Sequence, residues 1–265
     1  MRELFVPVLF AIFIWWFSTG VVLLLNGMPR TTFRWSLLIS SLLAVTALFG
    51  LSHTAATLNV VSAYCAFTCA LLVWGWHELT FLTGWLTGPR KQACTAASGW
   101  PRFNQAVAAI LWHELGILAG GLAIAAITWN AANQVGMWTF VVLWVMRTSA
   151  KLNLFFGVRN LSEEFLPPHL TYIGSYFKRR TMNAFLPISI ILSTLALVFI
   201  GLLAMNTESL ATTSVGLIVV GTMLAMASLE HFLLVLPLPS TALWRWAMRH
   251  RAPLVATSAG DSMGR

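Results

Sequence analysis

An all-α, polytopic membrane fold with about seven transmembrane helices is predicted for this chain by three observations. The first is composition: of 265 residues, 58% are hydrophobic and 9% charged, where an ordinary soluble domain carries roughly 25% charged residues. The second is segment length. A membrane helix needs about 20 mostly apolar residues, and such runs occur near 4–25, 34–52, 59–86, 104–129, 135–156, 184–204 and 212–236. The third is the alternation of basic charge in the links between those runs. None of the runs alternates as a barrel strand does, so helices are the way they can span.

Taken in order, the links set the topology. Arg30 and Arg34 follow the first run, and the link around His53 to Leu58 has no Lys or Arg. Arg90, Lys91 and Arg102 follow the third run, and the link Asn130 to Gln134 is uncharged. Arg159 and Lys178-Arg179-Arg180 follow the fifth, Glu208 alone separates the sixth and seventh, and Arg245, Arg249 and Arg251 follow the seventh. Basic residues collect on the cytoplasmic side of bacterial inner-membrane proteins. The expected N-terminus is therefore periplasmic and the C-terminus cytoplasmic, in a bacterial inner (intracytoplasmic) membrane. The same distribution explains the net charge of +8 without nucleic-acid binding, because no single face gathers the cations. The first run is too long for the apolar region of a signal peptide and is expected to be a span.

Residues 1–240 are expected to form one helical membrane domain, with the segment 157–183 inserted on the cytoplasmic side. There, Ser162-Glu163-Glu164 reads as a helix start and Pro167-Pro168 as its break. Residues 241–265 are expected to be an interfacial helix carrying Trp244 and Trp246, followed by a disordered tail beyond Ala252. The three cysteines offer no disulfide framework. Cys65 and Cys69 fill helix surface, and Cys94 falls in a reducing cytoplasmic loop.

The chemistry sits inside the spans. His77-Glu78, His113-Glu114 and Glu230-His231 are adjacent pairs in three different apolar runs, and an ionisable residue within a membrane span marks a candidate functional site. Counting along the runs, Glu78 lies roughly 12 Å and Glu230 roughly 9 Å from the cytoplasmic ends of their helices, with His113 at a similar depth. Arg147 and Lys151, one turn apart in the fifth run, share the layer and are expected ion-pair partners for the carboxylates. Three readings compete for the layer. It is a packing cluster of ion pairs, or a metal site in which His77, Glu78, His113, Glu114, Glu230 and His231 supply ligands suited to Fe or Mn, or a pigment site in which His77, His113 and His231 offer axial nitrogens to a tetrapyrrole. Adjacent residues diverge by about 100° around a helix, so only one member of each pair points at a shared centre. Ala109 and Ala227, each one turn before a histidine, and Gly116 and Gly120 after His113, are small enough to admit a flat ring or to let helices approach closely.

The Trp-His-Glu-Leu motifs at 76–79 and 112–115, the run from Lys151-Leu152-Asn153 through Asn160 to Glu163-Glu164-Phe165-Leu166-Pro167, Tyr176-Phe177-Lys178-Arg179-Arg180 and Leu229-Glu230-His231 together resemble the PuhE family of photosynthetic complex assembly proteins from purple and related phototrophic bacteria. The resemblance covers most of the chain from the third run onward and brings no catalytic assignment. It implies a role in assembling the reaction centre and core antenna through the handling of bacteriochlorophyll or a precursor, with the bilayer and photosynthetic-complex or pigment-pathway proteins as partners. The alternative is a membrane metalloenzyme of bacteriochlorophyll metabolism built on the His/Glu layer. A proton-coupled transporter is disfavoured because the chain shows no repeat and no matching pair of broken spans.

Overall fold

A computed structural model describes residues 2–206, 211–236 and 240–249. Its long helices are α1 (Arg2–Gly27), α2 (Phe33–Ala55), α3 (Val60–Leu82), α4 (Gly99–Ile127), α5 (Val135–Phe156), α6 (Phe185–Asn206) and α7 (Ala211–Leu233). Among the described residues there is no strand, only an isolated bridge between Val158 and Arg179. Six of the seven helices are long and apolar enough to cross a membrane by length and composition. The exception is α5, where Arg147 and Lys151 lower the hydropathy of an otherwise spanning-length helix of 22 residues. The protein is a multi-pass membrane protein. The link between α1 and α2 is short, and the tail expected beyond Ala252 lies outside the described residues.

Local chemistry explains most of the helix ends. Asn59 accepts the Ser62 N–H at 2.8 Å while the Ser62 hydroxyl accepts the Asn59 N–H at 2.9 Å, a reciprocal cap that starts α3. Asn183 caps α6 in one direction, its side-chain oxygen accepting the N–H groups of Phe185 and Leu186 at 2.8 and 3.0 Å. Asn133, between α4 and α5, donates to the carbonyls of Thr54 and Ser62 and so ties the ends of α2 and α3 together. Asn59 and Asn183 satisfy N–H groups that a helix start leaves open, and Asn133 a carbonyl that the end of α2 leaves open.

The third span is shorter than its apolar run predicts. It stops at Leu82 rather than near 86, because Gly84 takes φ +78° and ends the helix as a left-handed residue does. The apolar residues after it, Trp85 and Leu86, belong to a link that turns back along α4. Glu78 is therefore one turn from the end of α3, and the fourth helix starts at Gly99, five residues before its predicted start.

The 157–183 segment folds into the bundle. Asn160 donates from its side chain to the carbonyls of Leu233 and Leu236, and from its backbone to that of Leu234, closing the end of α7. Arg102 on α4 donates to the Tyr176 carbonyl at 2.6 Å and stacks over Phe155, 4.4 Å from its ring centre. Arg90 donates to the Tyr176 hydroxyl, which in turn donates to the Gln92 carbonyl. The His169 ring nitrogen lies 2.8 Å from the Leu82 carbonyl, capping the end of α3. Burial there pushes the His169 imidazole below its ordinary value, and the Arg30 charge acts in the same direction. Beyond α7, Trp244 and Trp246 pack on α1. Trp16 Nε1 donates to the Leu243 carbonyl at 2.9 Å, Trp244 Nε1 donates to the Trp16 carbonyl at 3.1 Å, and Phe17 stacks on Trp246.

Successive spans joined by such links alternate in direction, so α1, α3, α5 and α7 run one way. Their C-terminal halves converge on the side where the 157–183 segment lies. Reporter fusions test which side of the membrane that is. Fusions after Lys91 and after Arg180 are expected to report a cytoplasmic location and a fusion near Asn133 a periplasmic one; the reverse pattern would invert the topology. The link at Glu208, for which a periplasmic location is expected, lies outside the described residues.

Candidate functional site: a cavity with an ionic end

The four parallel helices enclose a cavity of about 330 Å³. α1 contributes Trp15, α3 contributes Trp74 and Phe81, and the segments after α5 and α7 close it with Phe165 and Trp244. Aromatic and aliphatic side chains form most of its wall. The ionic residues that border it are Glu78, Arg147 and Glu230, one each from α3, α5 and α7.

Arg147 Nη2 lies 3.3 Å from Glu78 Oε2. One turn along α5, Lys151 Nζ lies 2.5 Å from Glu114 Oε1 on α4. The spacing of four residues puts both cations on one face of α5, and that face is where α3 and α4 bring their acids. Glu230 is exposed to the cavity. Among the described residues it makes no hydrogen bond and no ion pair, and the Arg147 charge reaches it only at longer range.

The histidines go elsewhere. His77 is 2% exposed and packs against α4, where Gly116 and Gly120 leave room for its ring. A Cβ on Gly120 would collide with the imidazole, with Cε1 at 3.2 Å and Nε2 nearer still. The two glycines read in the sequence as space beside His113 are thus occupied by the histidine of the neighbouring helix. His113 is fully buried, its ring centre 4.4 Å from that of Phe81. Among the described residues, neither ring nitrogen of His77 or His113 has a hydrogen-bond partner. His231 uses both of its nitrogens: Nδ1 donates to the Ala227 carbonyl at 2.9 Å, because a carbonyl only accepts, and Nε2 accepts from the Ser149 hydroxyl at 2.9 Å. Ala227 therefore serves the histidine as an acceptor, without leaving a slot beside it. None of the three histidines borders the cavity.

Each adjacent pair is split in the same sense. The carboxylate turns toward the cations or the cavity, and the imidazole turns into a helix interface. The six candidate ligands do not converge: among the described residues no group of three or more His, Cys, Asp or Glu side chains is placed to hold a metal ion. What does converge is an amphipathic cavity with an ion pair and a further carboxylate at one end. Sequence reading missed the cavity wall, since Phe165 and Trp244 lie in segments assigned to the membrane surface. The available signal was their character, because a surface loop carrying Phe165-Leu166 and a tail carrying Trp244 and Trp246 have apolar area to bury.

Comparison with known proteins gives two matches. A family model described as "Protein of unknown function (DUF3623)" matches residues 1–254. A relative from Rhodobacter capsulatus, described as "Uncharacterized 30.4 kDa protein in puhA 5'region", is 35% identical over 257 residues, covering 94% of this chain and 92% of the relative. No solved structure matches.

Proposed function

The chain belongs to the family described as "Protein of unknown function (DUF3623)", and from that footing we propose that it is a membrane factor that holds bacteriochlorophyll or a precursor while the photosynthetic reaction centre and core antenna are assembled. One observation carries the reading: a cavity of about 330 Å³ among α1, α3, α5 and α7, apolar along most of its wall and ionic at one end. Small-molecule sites commonly fall at about 300–1,000 Å³, with mostly apolar walls and a few placed polar groups. A lipid-soluble ligand with a polar part matches that description, and a tetrapyrrole is one. Support for the photosynthetic setting comes from the Rhodobacter capsulatus relative, described by its place in the puhA 5' region, and from the motifs that resemble the PuhE family. The metalloenzyme reading draws less support, since it needs the His/Glu ligands to face one another.

The test is to fill the cavity without disturbing the fold. Gly75 borders the cavity, and a Cβ added there meets only Val22, at 3.8 Å. Gly75→Leu is expected to accumulate in the membrane at close to wild-type levels, to purify without pigment where the wild type carries it, and to lower reaction-centre and core-antenna levels in a phototrophic host. Pigment content read from the visible spectrum of the purified protein decides. An unchanged spectrum in Gly75→Leu, or a colourless wild type from pigmented cells, would remove the cavity from the function.

A further inference from the structure

We infer that Glu230 is the residue that receives a positive centre, a metal ion or an organic cation carried within an apolar ligand, at the ionic end of the cavity. The inference rests on the cavity being a ligand site and names the chemistry of what enters it.

The charge count motivates it. Glu78, Glu114 and Glu230 face Arg147 and Lys151, and each cation is committed to a different acid, Arg147 to Glu78 and Lys151 to Glu114. Among the described residues Glu230 is the carboxylate left over, and it borders the cavity with its side chain exposed. A carboxylate held inside a membrane without a direct ion-pair partner is unfavourable. A ligand that brings positive charge relieves this, whereas an anionic ligand adds to it.

The surroundings narrow the ligand further. Trp15, Trp74 and Trp244 present aromatic surface to the same cavity, which suits a flat apolar body and attracts cations to ring faces. A carboxylate oxygen is a hard donor of the kind magnesium prefers. The nitrogen donors that would compete are turned away: His77 and His113 lie in the interface of α3 and α4, and His231 spends both nitrogens on Ala227 and Ser149. If the ligand is a magnesium tetrapyrrole, the geometry points to Glu230 as the side chain facing the metal.

The experiment titrates the purified full-length protein in detergent with three probes: the dimethyl esters of magnesium protoporphyrin and of metal-free protoporphyrin, whose propionates carry no charge, and tetraphenylphosphonium. Binding is read by quenching of tryptophan emission and, for the porphyrins, by the shift of the visible bands. The wild type is expected to bind the magnesium form at least about tenfold more tightly than the metal-free form, the scale of one charge-assisted contact. Glu230→Gln should erase that preference while keeping the metal-free affinity, which also shows that the variant is folded. Glu230→Asp should restore part of it, and His113→Gln should leave it intact. Equal affinity for the two porphyrins, unchanged by Glu230→Gln, would overturn the role of Glu230 and leave the tetrapyrrole reading standing. Loss of the preference in His113→Gln with none in Glu230→Gln would hand the metal to the histidine. Glu230-dependent binding of tetraphenylphosphonium with no porphyrin binding would uphold the carboxylate and overturn the tetrapyrrole. If none of the three probes binds, both fall.

Discussion

Gly88→Ala is expected to leave little of the protein in the membrane. The link after α3 runs back along α4 and is held there by backbone contacts. His113 N donates to the Thr87 carbonyl at 2.9 Å, and Arg90 N donates to the Ala108 carbonyl at 3.3 Å. Gly88 lies between these bonds, and a Cβ there would fall on the α4 backbone, with the Ala109 oxygen at 2.7 Å and the Ala108 oxygen closer. A flexible side chain yields to such crowding, but two helix carbonyls do not. Overpacking of this kind costs about 1–3 kcal/mol. If the link lifts away, each of the two hydrogen bonds adds about 1 kcal/mol, or more where a buried group is left unpaired. Together these rival a sizeable part of the roughly 5–15 kcal/mol that holds a domain folded. Gly201→Ala on α6 is the control, because nothing lies within 4 Å of its added Cβ and Ala favours helix over Gly. Membrane levels by immunoblot and melting in detergent compare the two. A Gly88→Ala protein that accumulates and melts like Gly201→Ala would mean that the link is not docked on α4.

How far the sequence could be read depended on whether a feature follows from local pattern or from rotation. The spans are legible because apolar length and basic flanks are local quantities, and α5 was recognisable despite Arg147 and Lys151 because its length and neighbours still required a crossing. The polar layer was legible as a layer, since depth follows from counting residues along a helix. Its internal arrangement was not. Adjacent residues such as His77 and Glu78 point about 100° apart, but which of the two faces the centre depends on how the whole helix is rotated against its neighbours. Arg147 and Lys151 held a clue. Two cations on one face of α5 call for acids opposite them, which turns Glu78 and Glu114 toward α5 and sends His77 and His113 the other way. Gly116 and Gly120 held another, because a notch on one helix is filled by a side chain from the next. The end of α3 was misplaced for a different reason: Trp85 and Leu86 are as apolar as a helix would need, and only the left-handed turn at Gly84 separates them from it.

Arg147→Ala should be the most damaging change among the ionic residues, and it ties the fold to the site. Arg147 is the cation that borders the cavity, and the side-chain surface it keeps accessible, 44%, belongs to a residue of the cavity wall. Removing it strips Glu78 of its partner, leaves Glu78 Oε1, already without a hydrogen bond among the described residues, joined by an unpaired Oε2, and takes away the positive charge that Glu230 senses from the cavity wall. Breaking a fully buried ion pair by deleting one partner costs about 3–5 kcal/mol, an upper bound for a pair in which Arg147 keeps 44% of its side chain accessible, whereas replacing both partners with neutral groups costs far less. The single variant is therefore expected to accumulate poorly, and Arg147→Ala combined with Glu78→Gln to recover most of the loss. Lys151→Ala should be milder, because Lys151 and Glu114 stand outside the cavity and the change leaves the charges of the cavity wall in place. The double variant also separates stability from binding. Restored levels without restored pigment would show that Arg147 contributes to holding the ligand as well as to folding. Wild-type levels of the single variant would instead mean that the guanidinium reaches toward the membrane surface and that Glu78 does without it.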